Sequence, residues 1–597
     1  MTDQPATTLY GMFHEAARHH PTRTALEGPG TAMSYAELDT AVAAQAAALR
    51  KDGVRPGDTV AVVMERGSDL VTVVLAVSAC GAAWLTVDTA HPDLRIHSVL
   101  RQAAPRRLLA DTANRARLNG LGIAVRTPTS GRAQPPQPDT AALVLTAPAN
   151  APAYLVFTSG STGEPKGVAV PQAGLVNLAA GFRDATGLTA DDRVIQFSSS
   201  GFDIFVGELT MTFSTGATLC VADPEDLIVG EPLETTLHRR DVTAAVLSPT
   251  VHGTLDPHKL PGLRILVSGA EPLTPAALAR WRRPGRRVFN AYGPSEATCM
   301  ISIGEPDPDS RTVDVGRLLT GFTVALVDDL LRPAPPGTAG ELVVFGDAVA
   351  TRYLGAAAAE STSFRRLPHP DTGRPTHAYR TGDLAELRTD GRLVVRGRIG
   401  DQVKIRGHRV EPGEVDAVAE HSPAVAQSRT RAVPGPDGTA LLHTYVVPER
   451  DTDTGALPAR LRRHLSAYLP AAMMPAVVRI VAAIPTNVNG KTDWSALERS
   501  VDAVGSVASP PPERTERVRA VLERVLREHG LGEGELAADS DFFLSGGNSL
   551  LLPSVTELLK QEFGLAVPLR IVARRRTAAA IAEWIGDERA PRPAAAP

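Results

Sequence analysis

Residues 154–168 read YLVFTSGSTGEPKGV: an apolar, β-branched and aromatic run opens into six consecutive Thr, Ser and Gly residues and closes near a lysine, Lys166. The apolar run has the composition of a buried strand. The loop behind it offers backbone N–H groups and hydroxyls to an oxyanion, as phosphate-cradling loops do. It is not a P-loop, because Pro165 stands where the second glycine before the lysine belongs. Composition alone serves a flexible connector equally well; the ordered string TSGSTGEPKG is far more specific than its composition.

Similar short apolar runs recur on both sides: TVAVVM (59–64), RVIQF (193–197), ATLCVA (217–222), AAVLS (244–248) and RILVS (264–268). Runs of this kind read as buried parallel strands. Between them lie helical patterns such as residues 34–49, where Ser34 and Glu37 form a capping box before an Ala-rich stretch. Alternating strands and helices predict an α/β core over residues 1–398. Residues 126–152, rich in Pro, Thr and Ala, read as a surface excursion within it. A smaller α+β segment is expected over 399–500, and VDAVGSVASPPPER (501–514) supplies a linker signal, placed at 501–512. Helical spacing over 513–529, 550–563 and 577–585 predicts a three- or four-helix bundle over 513–588, with a frayed tail at 589–597.

Composition excludes several classes. Across 597 residues, 62 Lys+Arg stand against 66 Asp+Glu for a net charge of −4, which removes the basic balance of a dedicated nucleic-acid binder. The cluster RWRRPGRR (280–287) then reads as a solvated helix end. Three cysteines build no disulfide framework or zinc knuckle, and His19 and His20 lack metal-ligand spacing. The uncharged run at 70–87 just reaches membrane-spanning length, yet its Thr, Ser, Gly and Ala content and the flanking Asp69 and Asp88 read as protein core. The opening MTDQPATTLYGMF lacks a cationic start and an apolar block, so a cytoplasmic location is expected. Only six of the basic residues are lysines, which draws attention to each.

Taken in order, TSGSTGEPKG, GAAWLTVD (81–88), NAYGPSE (290–296), GELVVFGDAVATRYL (340–354), YRTGDL (379–384), GRIGDQVKIRGHRVEPGEVD (397–416), YLPAAMMP (468–475) and PTNVNGK (485–491) resemble the adenylate-forming superfamily. Within it they resemble the adenylation domains of nonribosomal peptide synthetases. The resemblance implies a large core with a mobile lid, and a two-step reaction. An amino acid and ATP give an aminoacyl-adenylate and pyrophosphate, and the acyl group then passes to a thiol.

A carboxylate must approach the α-phosphorus of an anionic nucleotide, so positioning and charge neutralisation carry the first step. By resemblance Lys491 reaches the carboxylate and α-phosphate, Glu296 holds Mg²⁺, and Ser295 bonds phosphate. Asn290, Ala291 and Tyr292 form the adenine-facing turn, with Gly269 and Ala270 opposite. Asp383 and Arg398 bind the ribose hydroxyls. Thr158, Ser159, Gly160, Ser161, Thr162, Gly163 and Lys166 fold over the leaving pyrophosphate.

In SSGFDIFVGEL (199–209), Asp203 matches the carboxylate that holds the substrate α-ammonium. The remaining pocket positions carry over as Ile204, Gly207, Val246, Leu266, Ser268, Ala291, Cys299 and Met300. An uncharged lining implies a bulky hydrophobic or aromatic L-amino acid, with Ser268 or Cys299 able to tolerate one polar group such as a phenol. At the lid boundary the position of the family's hinge aspartate holds Gly400, followed by Asp401. Near the C-terminus, DFFLSGGNSLL (541–551) resembles a peptidyl carrier domain whose serine, here Ser549, carries 4'-phosphopantetheine. Asn548 departs from the usual Asp or His. A Gly-x-Ser-x-Gly hydrolase elbow is excluded by Leu551.

The implied partners are the amino acid, a phosphopantetheinyl transferase, a separate tailoring or condensation enzyme and an MbtH-like activator, with neither nucleic acid nor membrane. Two other readings stay open on sequence alone: an acyl- or aryl-CoA ligase with a carrier-like tail, and a nucleotide-binding scaffold without turnover.

Overall fold

The computed structural model describes residues 5–128, 143–160, 164–307, 312–335, 337–355, 363–400, 402–405, 407–435, 440–450, 452–486, 492–499, 513–531, 536–537, 540–543 and 545–589; the side chains of Pro5, Arg499, Glu513, Ser549 and residues 586–589 lie outside that description. The chain divides into two compact units. The first comprises Met1–Thr158, Pro165–Leu227 and Glu231–Gly400; the second comprises Ser159–Glu164, Ile228–Gly230 and Asp401–Pro597.

Among the described residues, the first unit contains a seven-stranded sheet in the order Arg352–Tyr353, Lys166–Pro171, Pro152–Thr158, Ala83–Thr86, Thr59–Val63, Arg107–Ala110, Val125–Arg126. A nine-stranded sheet runs Arg317–Leu318, Ser302–Gly304, Arg287–Tyr292, Ile265–Ser268, Ala244–Leu247, Arg193–Ile195, Thr218–Cys220, Thr24–Gly28, Thr31–Ser34. A third sheet is built around the strand Pro375–Leu387. Each of the six short apolar runs, at 59–64, 154–158, 193–197, 217–222, 244–248 and 264–268, therefore contains a strand, some shorter than the run. The strand Pro152–Thr158 departs from the all-parallel expectation: it runs parallel to Ala83–Thr86 but antiparallel to Lys166–Pro171. Only residues 159–165 separate the paired strands, and so short a connection permits no parallel crossover.

Local chemistry explains the elements. Ser34 accepts from the Glu37 N–H and Glu37 accepts from the Ser34 N–H at 2.8 Å, starting the helix Tyr35–Lys51. The apolar run at 70–87 divides into the buried helix Ser68–Ala79 and the strand Ala83–Thr86; a helix apolar all round is one packed on all sides. Among the described residues no helix is long and apolar enough to cross a membrane. The arginines of 280–287 are not merely solvated. Arg280 donates to the Gly253 carbonyl at 2.7 Å, and the buried Arg286 donates to the Leu263 carbonyl at 2.6 Å and stacks on Trp281.

The second unit holds the hairpin Val403–Ile405/His408–Val410, the helix Pro412–Glu420, and a sheet of Val425–Pro434, Ala440–Pro448 and Val477–Ile480. It continues with the helices Glu513–Glu528, Leu552–Phe563, Leu569–Arg575 and Ala578–Arg589. The helix Leu569–Arg575 escapes the periodicity, because seven residues ending in arginines give too short an apolar stripe. These helices pack around Val518, Leu522, Val555, Leu559 and Ile581, and Leu441, Ala476 and Val477 join the same core. The boundary between units falls between Gly400 and Asp401, two residues beyond the one expected.

Candidate functional site

In open α/β sheets ligands bind outside the carboxyl ends of the strands, and the strands Ala244–Leu247, Ile265–Ser268 and Arg287–Tyr292 run parallel and end together. At the end of the last, Tyr292 donates its hydroxyl to the Asp383 carboxylate. Burial, and then the Asp383 charge, push the phenol pKa well above its ordinary value, so it stays a donor. Asp383 and Arg398 face each other across the antiparallel pair Pro375–Leu387/Leu393–Arg398, with Arg398 Nε 3.4 Å from Asp383 Oδ1. Both lean on Thr381: the Asp383 N–H donates to its Oγ1 and Arg398 Nη2 to its carbonyl, each at 3.0 Å. A carboxylate held this firmly can accept from two vicinal hydroxyls.

Asn290 is buried and donates to the Asp314 carbonyl at 2.9 Å. Gly269 follows the strand Ile265–Ser268 with its α-carbon close to Ala291: an added methyl would sit 3.5 Å from the Ala291 carbonyl. Ala270 next to it takes a left-handed φ of 65°.

Glu296 lies fully buried on the single turn Ser295–Ala297 and accepts from the Tyr353 hydroxyl at 2.7 Å. Among the described residues no three potential ligands gather as a metal cluster. Mg²⁺ in nucleotide sites takes only one or two carboxylates plus substrate phosphates, so a single Glu296 fits that donor set.

Asp203 is the first residue of the buried helix Asp203–Phe213, where the helix N-terminus favours an anion. It accepts from the Ser295 hydroxyl at 2.5 Å. Ser295, expected at phosphate, thus has its donor on the carboxylate. The loop before Asp203 is held by Glu208, whose carboxylate accepts from the Phe197 and Ser198 N–H groups and the Gln196 amide. Arg66 in turn donates to Gln196 at 2.7 Å. Burial pushes the Glu208 pKa up to about 7, against the backbone N–H bonds from Ser198 and the Gln196 amide. Glu208 is outside the expected set; its signal is a lone acid in an apolar helix five residues after Asp203.

The pocket positions divide. A methyl at Gly207 would touch Phe182 and Cys299 at 3.7–3.8 Å, which places those three together. Val246 and Ala291 pack with Phe182 and Met300 in one core. Thr298 and Cys299 both take left-handed φ angles, 57° and 64°, and non-glycine residues there store of order 1–3 kcal/mol each. Ile204, next to Asp203 in the helix, is half-buried. Leu266 and Ser268 depart from this set. Side chains alternate along a strand, and Leu266 packs in the opposite core with Trp281, while Ser268 pairs with the buried His252 at 3.2 Å. Burial, and then Arg280, push the His252 pKa down to about 4. The Ser268 hydroxyl is therefore engaged with a neutral imidazole on the other face, and Cys299 is left as the polar member of the lining.

On the strand Pro152–Thr158 the Thr158 hydroxyl is buried without a hydrogen-bond partner among the described residues, an orphan suited to a phosphate oxygen. Lys166 stands opposite Thr158 in register. Within the second unit, Ser159 Oγ donates to the Arg409 carbonyl at 2.8 Å and the Gly160 N–H to the Glu414 carboxylate at 3.0 Å. Ser161, Thr162, Gly163 and Lys491 lie outside the described residues. Gly400 has a φ of 112°, open to glycine and closed to proline.

Near the C-terminus, Ser549 begins the turn Ser549–Leu551 ahead of the helix Leu552–Phe563. Asn548 accepts from the Leu550 N–H at 2.9 Å. A methyl at Gly547 would meet the Phe542 ring at 2.5 Å, so the loop approaches that ring as only glycine can.

Three family models match: the AMP-binding enzyme over residues 13–354, the AMP-binding enzyme C-terminal domain over 414–491 and the phosphopantetheine attachment site over 516–585. The chain is similar to phosphinothricin tripeptide synthetase PhsC of Streptomyces viridochromogenes, 36% identical over 98% of this chain and 53% of that one. It is equally similar to novobiocin biosynthesis protein H of Streptomyces niveus, 36% identical over 95% of this chain and 94% of that one. The chain thus spans about half of the first relative and nearly all of the second. Among solved structures, holo-PA1221, a protein containing adenylation and PCP domains, superposes with a TM-score of 0.78 at 27% identity, covering 98% of this chain and 97% of that one. The chain belongs to the AMP-binding enzyme family, as an adenylation domain followed by a phosphopantetheine-bearing carrier domain.

Proposed function

We propose that the chain activates an L-α-amino acid with ATP as the aminoacyl-adenylate and loads it as a thioester on its own carrier, for a natural-product pathway. The observation that carries this reading is Asp203: a carboxylate at a helix N-terminus, oriented by Ser295, beside an otherwise uncharged lining. Asp203 is half-buried, and a carboxylate facing an apolar lining favours a cationic group, which an α-ammonium supplies. The Gly207, Val246, Ala291, Cys299 and Met300 lining favours a bulky hydrophobic or aromatic side chain.

Each residue has a task in the first half-reaction. Asp203 orients the amino acid, Asp383 and Arg398 hold the ribose, and the Thr158 hydroxyl and Lys166 face the departing phosphates. Lys491 bridges substrate carboxylate and α-phosphate. Mg²⁺ held by Glu296 would neutralise phosphate charge. In the second half-reaction Gly400 absorbs the backbone change that brings the lid to its other orientation, and Ser549 carries the 4'-phosphopantetheine arm. The partners in this reading are a phosphopantetheinyl transferase, a separate tailoring or condensation enzyme and an MbtH-like activator, in the cytoplasm.

Pyrophosphate exchange across a panel of amino acids tests the reading: exchange should depend on an α-amino acid and be strongest with apolar or aromatic members. Exchange with carboxylic acids lacking the amine would favour a CoA-ligase-like enzyme. ATP binding with no exchange for any acid would favour a scaffold.

A further inference from the structure

The short helix Leu569–Arg575 of the carrier carries Arg570, Arg574 and Arg575, and Arg576 follows it; all four are exposed. Arg575 pairs with Glu583 at 3.2 Å and Arg576 with Asp541 at 3.0 Å. Arg570 and Arg574 have no ion-pair partner among the described residues. The cluster adjoins the serine loop through two backbone hydrogen bonds: the Phe542 N–H donates to the Arg576 carbonyl at 2.7 Å, and the Gly547 N–H to the Phe542 carbonyl at 2.9 Å. Gly547 is two residues before Ser549. Arg576 also covers the Phe543 ring.

Helix stability does not account for the whole cluster. Cations in the last turn complement the helix dipole, which suits Arg574 and Arg575, but Arg570 lies in the first turn, where a cation opposes the dipole. That turn contains no acid to offset it. An unpaired cation in the wrong turn, beside the loop that must be reached in trans, points to recognition of an anionic surface. Charge at an interface rim sets encounter rate and register more than final affinity.

We infer that Arg570, Arg574 and Arg576 form a docking face for an acidic surface on the phosphopantetheinyl transferase that modifies Ser549. The inference rests on the carrier reading, and that enzyme is the one partner the unmodified carrier requires before any acyl group can be loaded.

The test follows arm attachment to the full-length chain from coenzyme A and a purified phosphopantetheinyl transferase, by mass, at about 10 mM and about 1 M salt, where the screening length falls from about 30 Å to about 3 Å. Arg570→Glu/Arg574→Glu should slow attachment by about tenfold at low salt, and the gap to wild type should close at high salt. Arg527→Glu, an exposed arginine on the helix Glu513–Glu528, should leave the rate unchanged. Equal rates for wild type and the double variant at low salt would overturn the docking face, as would a deficit that salt does not reduce. Should the double variant misfold, Arg570→Gln alone decides by the same salt comparison. If the wild-type chain takes up no arm at Ser549 at all, the carrier reading itself fails.

Discussion

The Tyr292–Asp383–Arg398 corner of the core and the serine turn of the carrier are built by opposite means. In the core, Tyr292, Thr381, Asp383 and Arg398 come from three strands, are largely buried and hold one another by hydrogen bonds. In the carrier, Ser549 stands on a three-residue turn shaped by its immediate neighbours, Gly547 and Asn548. A small molecule is held by convergent, desolvated groups, which only a large fold can assemble. A group that another enzyme must reach needs only a local turn on a small bundle. The first kind of site should be sensitive to many substitutions, the second to one.

The comparison breaks first at Ser549. Ser549→Ala should abolish arm attachment, read as loss of the mass increase, and any residual modification would refute the assignment. Next comes Lys491→Ala, expected to slow pyrophosphate exchange by about 10²–10³-fold, the scale of losing one charge-stabilising group. Asp383→Asn should raise the KM for ATP by roughly tenfold to a hundredfold, since a hydrogen bond to a charged group contributes about 1.5–3 kcal/mol; an unchanged KM would detach Asp383 from the nucleotide. Gly400→Pro demands a φ near −65° where the chain has 112°. It should slow thioester formation by about tenfold more than exchange, and equal effects on both half-reactions would remove Gly400 from the pivot.

The smallest effect concerns Glu208. Its pKa in the folded chain, about 7, exceeds the ordinary carboxylate value of 4.5, so the folded state binds the proton more tightly than the unfolded state. Stability from this group is full below pH 4.5 and is lost as pH rises towards 7. The melting temperature should fall by a few degrees across that window, and Glu208→Gln should flatten this part of the profile. A wild-type profile that rises there would show the Arg66 charge outweighing burial.

Much of this was legible in the residues. The strands at 59–63, 152–158, 244–247 and 265–268 announce themselves because continuous β-branched runs bury on both faces, and the Ser34 capping box is a local reciprocal bond. Three features were not legible. The helix Leu569–Arg575 is too short for its period to show. The arginines of 280–287 look solvated because their carbonyl partners lie some 20–30 residues away. Leu266 and Ser268 carry over as pocket residues by motif position, yet the alternation of their strand sends both to the opposite core.

By itself the sequence determined the family, the order of its parts and the residue types available for chemistry, because ordered motifs, caps, turns and apolar periods are short-range properties. Only the tertiary structure decided which polar groups meet: Tyr292 with Asp383, Ser295 with Asp203, Glu208 with the loop before Asp203, and His252 with Ser268. Those pairs span from ten residues to 92, and their formation depends on strand register and helix packing, which no local pattern encodes.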